Sequence, residues 1–311
     1  MEAKNILFVY NPRAGKAKIH SKLCDIIDIF AKAGCEITVY PTQQEGDAAR
    51  AVMNKKKRYD LLVCSGGDGT LDETVNGMIK CSKRIPIGYI PAGSTNDFAM
   101  SLGLPKDMCR AAEVIVSGTD YPCDIGTFNE NCFVYIAAFG LFTDVSYETS
   151  QAMKNVLGHM AYLLEGMKRI SSIKSYNLKA TYRSSEQEAD GGEENTIEDE
   201  FIYGMVTNSL SVGGFKRITG KYVELDDGEF EVTLIKKPSN PLEINMIIAA
   251  LLNRRINTDY MYCFKTREIT FEAEGEIPWT TDGEFGGNHK RVHIENMKQA
   301  VKIRVPVQSD R

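Results

Sequence analysis

Residues 61–77 read LLVCSGGDGTLDETVNG. The apolar run Leu61, Leu62, Val63, Cys64 has strand length and an amphipathic helical pattern follows, so three glycines and a carboxylate stand where a strand opens into a helix. Gly66, Gly67 and Gly69 let backbone amides approach an anion without Cβ interference, and the helix N-terminus adds partial positive charge. The segment therefore predicts a phosphate loop that includes the Thr70 hydroxyl. Asp68, set among those glycines, is poorly placed to touch phosphate and better placed to hold a cation that does, as magnesium bridging phosphates would. An isolated GxG with an aspartate also reads as a tight turn capping a helix, so the rest of the chain has to decide.

Around this stretch, residues 6–117 alternate short apolar runs (ILFVY, EITVY, LLVCS, IPIGYI) with helical patterns such as Ile19, Leu23, Ile26, Ile27, Phe30. That order predicts a doubly wound parallel sheet with helices on both faces, in which ligands bind beyond the carboxyl ends of the strands. Glycine-rich segments stand at three such ends: Asn11, Pro12, Arg13, Ala14, Gly15 and Lys16 after the first strand, Gly66–Gly69 after the third, and Pro91, Gly93, Ser94, Thr95, Asn96 and Asp97 after the fourth. Three loops are thus expected on one rim. Asp68 and Asp97 could share a hydrated magnesium there; Asp97 also reads as an N-cap for the helix that starts at Phe98.

After about residue 120 the grammar becomes period-two alternation with turns: 132–139, 177–183, 201–208, 230–236, 262–273 and 301–305. The expected architecture is an α/β nucleotide-binding domain over 1–122 followed by a mainly antiparallel β domain over 123–311. Helical stretches around 152–170 and 242–254 interrupt the second, and 184–200, rich in acids, reads as a mobile hairpin loop.

The chain has 311 residues, 43% hydrophobic and 25% charged, which suits two globular domains. A formal net charge of −5 argues against a nucleic-acid partner. The run Lys55, Lys56, Lys57, Arg58 reads as a solvated helix end or, alternatively, as a patch for lipid headgroups. Eight cysteines without a C-x-x-C pair suggest a reduced, cytoplasmic setting, and the four histidines have no metal-ligand spacing. The N-terminus enters ILFVY directly, so no export signal is expected, and no apolar run is long enough to span a bilayer.

A base for phosphoryl transfer is harder to find in the first half. In the second, Asp282, Gly283 and Glu284 offer carboxylates on a turn, although DGE alone is also a common hairpin turn. Leu225, Asp226, Asp227, Gly228 likewise reads as a β-turn or as a loop for a hard cation.

Taken in order, NPRAG, GGDGTLDETVNG, PAGSTNDFA, LDDGEF and TDGE resemble the bacterial diacylglycerol kinase and related lipid kinase family, relatives of sphingosine and ceramide kinases, over nearly the whole chain. GGDGT alone also occurs in NAD kinases; PAGSTND and the late TDGE resemble the lipid kinases. The resemblance implies a β-sandwich for the second domain and a nucleotide in the cleft between the two. It places nucleotide binding on Asn11 to Gly15, Thr42, Gly67 to Glu73 and Ser94. Asp68 and Asp97 match the acids that organise catalytic magnesium through water, and Glu284 the general base toward the lipid hydroxyl, with Asp282 beside it. LDDGEF matches a structural magnesium loop using the Asp227 carboxylate and the carbonyls of Glu224 and Glu229. Ser94 stands where many members have threonine, and Asp72 where asparagine or histidine is common.

The implied activity is ATP-dependent phosphorylation of a lipid hydroxyl, diacylglycerol first, with magnesium as an essential ion. A sphingoid base, another lipid alcohol or NAD as acceptor is the alternative, as is a non-catalytic nucleotide or lipid sensor. The expected partner is a membrane lipid, met by peripheral association at the inner face through apolar side chains around 139–142 or the helix from Leu242; a homodimer is compatible with this.

Overall fold

The computed structural model describes residues 4–54, 58–93, 96–141, 174–183, 194–209, 211–212, 215–216, 224–252 and 259–307. The expected helix at 152–170, the lysines at 55–57 and positions 94, 95 and 142 lie outside them. By compactness the chain divides into two units, Met1–Asp124 with Gln299–Arg311, and Ile125–Lys298.

The first unit contains β1 (Asn5–Tyr10), α1 (Ile19–Lys32), β2 (Glu36–Pro41), α2 (Asp47–Met53), β3 (Leu61–Gly66), α3 (Asp68–Ile79), β4 (Ile87–Pro91), α4 (Asp97–Ser101), α5 (Met108–Ser117) and the start of β5 (Thr119–Phe128). The strands pair in parallel in the order β2-β1-β3-β4. Alternation along the pleat sends Ile6, Phe8 and Tyr10, with Leu61 and Val63, against Ile19, Ile26 and Phe30 of α1 and Ala111, Ala112 and Ile115 of α5. Leu7 and Val9 are buried as well, which is why β1 reads as an unbroken apolar run. The chain winds from β1 outward to β2, then back to β3 on the other side. The order therefore reverses between β1 and β3, where such sheets bind ligands.

The second unit continues with β6 (Asn131–Phe133), β7 (Ile136–Gly140), β8 (Tyr176–Arg183), β9 (Glu194–Thr207), the short hairpin β10 (Ser211–Val212) and β11 (Phe215–Lys216), β12 (Phe230–Lys236), α6 (Pro241–Leu252), β13 (Met261–Thr266), β14 (Glu268–Thr281) and β15 (Glu284–Val305). Within it the strand pairs are antiparallel. The first half of β9 pairs with β8 and its second half with β7 and β12; β14 pairs with β8 along its start and with β7 at its end. Two long strands thus each serve two layers, and the sheet folds over a core centred on Trp279, whose ring lies 4.8 Å from that of Phe139 and 5.3 Å from that of Phe271.

Several expectations are corrected. Residues 194–200, read as loop, are the start of β9: paired in register with β8, an acidic stretch forms a strand because Glu194 and Glu198 are exposed while Asp199 and Glu200 pair with Lys236 and Lys237. The strand expected over 132–139 breaks at Val134 and Tyr135, whose amides, with that of Ile136, donate to the Asp282 carboxylate instead of a ladder. The run 262–273 breaks between β13 and β14, where the Thr266 hydroxyl accepts the Glu268 N–H. The domain expected over 123–311 gives up its C-terminal stretch: Ile303 pairs in parallel with Ile87 of β4, so residues from 299 onward belong to the first unit. Phe139 is fully buried, which removes it as a membrane contact.

Candidate active site

In the first unit the ladders run on past the strands. The Asn11 N–H donates to Ser65 O (2.8 Å), the Thr42 N–H to Tyr10 O (2.9 Å) and the Ala92 N–H to Gly66 O (2.8 Å). The Asn11 side chain closes its own turn by accepting the Arg13 N–H at 2.9 Å and reaches Thr70 Oγ1 at 3.4 Å. Gly15, Lys16 and Ala17 follow in the left-handed region (φ 51°, 65° and 55°). Gly15 is required twice over, because a Cβ there would fall on the Ala92 carbonyl. A Cβ on Gly93 would lie 2.6 Å from the Gly67 Cα. The three glycine-rich loops therefore meet backbone to backbone on one rim, a cradle that side chains would fill.

Asp68 opens α3 and Asp97 opens α4, so both carboxylates stand at helix N-termini on that rim. The Asn96 N–H donates to Asp68 Oδ2 at 3.1 Å, which links the third loop to the second. Asp97 is buried; the N-cap is Asn96, in the left-handed conformation (φ 54°). Among the described residues no three carboxylate, imidazole or thiol side chains converge as a metal's ligands. Carboxylates are the oxygen donors that a hard cation takes together with water and phosphate.

Other expected residues have local work. The Gly93 N–H donates to Asn96 Oδ1 at 2.9 Å and is therefore already spent. The Glu73 carboxylate accepts the N–H groups of Gly46 (2.8 Å) and Ala48 (3.0 Å), and the Asp47 carboxylate accepts those of Gln43 and Gln44. Glu73 thereby holds from α3 the loop that begins with the buried Thr42. Positions 94 and 95 lie outside the described residues.

In the second unit Asp282 and Gly283, with φ 50° and 87°, form the two-residue hairpin between β14 and β15 that the Asp-Gly pair encodes. The Asp282 carboxylate accepts three N–H groups, from Val134 (2.6 Å), Tyr135 (2.9 Å) and Ile136 (3.0 Å). Such a nest fixes the turn, which makes Asp282 a positioning residue. Glu284 is the first residue of β15 and is exposed, on a turn whose geometry Asp282 sets.

The 224–229 loop already has a cation. Lys265 Nζ lies 2.8 Å from Asp227 Oδ2, 3.5 Å from Glu231 Oε1 and 3.9 Å from Glu229 Oε2. Asp227 Oδ1 accepts the Glu229 N–H, and the Glu229 carbonyl accepts from Asn296 Nδ2 at 3.2 Å. The expected structural magnesium would share the Asp227 carboxylate with an ammonium and the Glu229 carbonyl with an amide. Burial pushes the Glu231 carboxyl up to about 8, against the pull of Lys265. Between the ordinary value of 4.5 and about 8 the folded state holds a proton that the unfolded chain has released. This stabilisation is fully present below pH 4.5 and lost as pH rises through 8. Glu231→Gln is expected to flatten that loss in thermal unfolding followed between pH 5 and 9, at roughly these bounds; a midpoint falling as steeply as in the wild type would refute the assignment.

Sequence reasoning placed Asn96 on the rim without a role and missed Tyr89, although these two tie the loops together. The one available signal was Gly-x-x-Asn between a strand and a helix, a spacing at which an asparagine can bond the glycine peptide.

A switch-point rim of touching glycine loops with two helix-opening carboxylates defines a phosphoryl-transfer domain. The comparisons with known proteins agree. Residues 5–128 match the family model of the diacylglycerol kinase catalytic domain. The chain is 32% identical to a diacylglycerol kinase of Bacillus subtilis over 91% of each chain, and 32% identical to one of Staphylococcus carnosus over 97% of this chain and 95% of that one. The crystal structure of a diacylglycerol kinase from Bacillus anthracis superposes with a TM-score of 0.78 at 26% identity, covering 98% of both chains. The chain belongs to the diacylglycerol kinase family and is a lipid kinase.

Proposed function

We propose that the chain transfers the γ-phosphate of ATP to the hydroxyl of diacylglycerol, giving phosphatidic acid and ADP. The observation that carries the reading is the backbone contact of three loops around Asp68 and Asp97, in a chain related throughout to diacylglycerol kinases. The turn 11–15 and the amides at the start of α3 hold the phosphates. Asp68 and Asp97 would hold magnesium, and the ion would supply the charge neutralisation that phosphoryl transfer needs. Glu284 takes the proton of the lipid hydroxyl as its oxygen bonds to the γ-phosphorus and the bond to ADP breaks. That the rim and Glu284 serve one pair of substrates is part of the proposal.

Among the described residues no helix is long and apolar enough to cross a membrane. The reading includes peripheral association with the inner face of the membrane. Helix α6 leaves Leu242 71% and Met246 54% exposed one turn apart, an apolar stripe of the kind that enters a headgroup layer.

The test is to incubate the chain with labelled ATP and a panel of diacylglycerol, sphingoid base, other lipid alcohols and NAD, lipids being presented in mixed micelles. Label is expected on diacylglycerol. Label on another acceptor would replace diacylglycerol, and ATP bound without turnover would leave a non-catalytic nucleotide-binding protein. With anionic vesicles the chain is expected to float; its staying wholly in the soluble fraction would contradict membrane association.

A further inference from the structure

Tyr89 lies in the middle of β4 and is 1% exposed, in a strand whose other positions are apolar or glycine. A hydroxyl in such a place costs stability unless it is bonded. This one lies 3.2 Å from Gly66 O, at the end of β3, and 3.3 Å from Asn96 Oδ1, in the loop after β4. Both distances are longer than a single O–H···O bond and fit one proton shared between two acceptors. Burial, with Asp68 adding to it, holds the phenol well above its usual pKa, so it keeps that proton.

Asn96 is the hub that the phenol reaches. Its Oδ1 accepts the Gly93 N–H, its Nδ2 donates to Gly93 O at 2.8 Å, and its own N–H donates to Asp68 Oδ2 at 3.1 Å. Asp97 follows directly and starts a helix of five residues, too short to set its own position in the sheet. Fixing Asn96 therefore constrains Asp97 and holds one oxygen of Asp68.

We propose that Tyr89 is a positioning residue for phosphoryl transfer: its hydroxyl ties Asn96, and Gly93 bonded to it, to the carboxyl end of β3 and so sets Asp68 and Asp97 relative to one another. The inference rests on the reading that these two carboxylates organise magnesium and ATP. A purely structural hydroxyl would show itself in stability, and here it should not. Without it, Gly66 O keeps the Ala92 N–H and Asn96 Oδ1 keeps the Gly93 N–H, so no acceptor is left bare. Phenylalanine fills the same volume.

The experiment compares wild type, Tyr89→Phe, Asn96→Gly and Asp97→Asn at saturating lipid. It reads the magnesium concentration for half-maximal activity, KM for ATP, kcat and the thermal midpoint. Glycine is chosen at 96 because it keeps the left-handed backbone. Tyr89→Phe is expected to raise the magnesium midpoint and KM for ATP by roughly fivefold, the effect of one hydrogen bond, with kcat and thermal midpoint near those of wild type. Asn96→Gly should shift both constants further in the same direction. Wild-type constants in Tyr89→Phe would overturn the proposal, and so would a lowered thermal midpoint with the magnesium midpoint unmoved, which marks a core residue and nothing more. Asp97→Asn separates the two layers of argument. If its magnesium dependence is that of wild type, the reading beneath the proposal fails. If it is shifted and Tyr89→Phe is not, only the role of Tyr89 falls.

Discussion

Glu284→Gln is expected to lower kcat by about 10³-fold, within the span that one general base contributes, and to leave the affinity for ATP unchanged. The amide keeps the size of the side chain but loses the negative charge and with it the capacity to take a proton. That capacity matters as the lipid hydroxyl attacks and hardly at all before, so the loss falls on the transition state. The turn itself does not depend on Glu284, because Asp282 fixes it through the amides of Val134, Tyr135 and Ile136. Steady-state kinetics alongside titration calorimetry with magnesium and ATP make the check. A parallel loss of nucleotide affinity would assign Glu284 to binding or to structure and would remove the proposed base.

Asp68→Ala should reduce kcat/KM by about 10³-fold, the scale seen when one preorganised electrostatic partner of a transferring group is removed, and should move half-maximal activation to higher magnesium. Two functions are lost together, since the carboxylate also accepts the Asn96 N–H that fastens the loop before Asp97. Asp68→Asn divides them, because its amide oxygen can still accept that N–H while the charge for the cation is gone. If the charge is what matters, asparagine should be nearly as inactive as alanine, with a thermal midpoint closer to wild type. An asparagine variant with wild-type magnesium dependence would sink the assignment of Asp68 to the metal.

The two predictions draw on parts of the molecule that differ in how openly the sequence displays them. The glycine rim is local chemistry: Gly66, Gly67, Asp68 and Gly69 announce a strand-to-helix turn through backbone freedom and charge alone, and Gly15 does the same after β1. The hairpin at Asp282 and Gly283 is local too, since two successive positive φ values are what Asp-Gly tolerates. What Asp282 does with its carboxylate is not. Its three donors lie 146 to 148 positions earlier, and no window along the chain contains both. Likewise Glu73, expected near the nucleotide, spends its carboxylate on amides 25 and 27 positions away.

The C-terminal stretch makes the same point for the fold. Alternation in 301–305 identifies a strand, but the pattern is silent on its neighbour, and it is the pairing of Ile303 with Ile87 that carries these residues back to the first unit. The acidic start of β9 shows the reverse case: composition suggested a loop, and the ladder with β8 overrode it, because a strand at the surface asks only that alternate side chains be solvated.

By itself, then, the sequence determined the order of elements in the α/β half, the change to antiparallel strands, the glycine loops and the acids standing on them. Each of these follows from periodicity and backbone allowance within a dozen residues. Tertiary structure alone decided that Gly93 would lie against Gly67, that Asn96 and Tyr89 would bind the loops together, and that Lys265 would face Asp227, Glu229 and Glu231. Those pairings depend on which strands become neighbours, a choice made by burial of whole faces and not by any short run of residues.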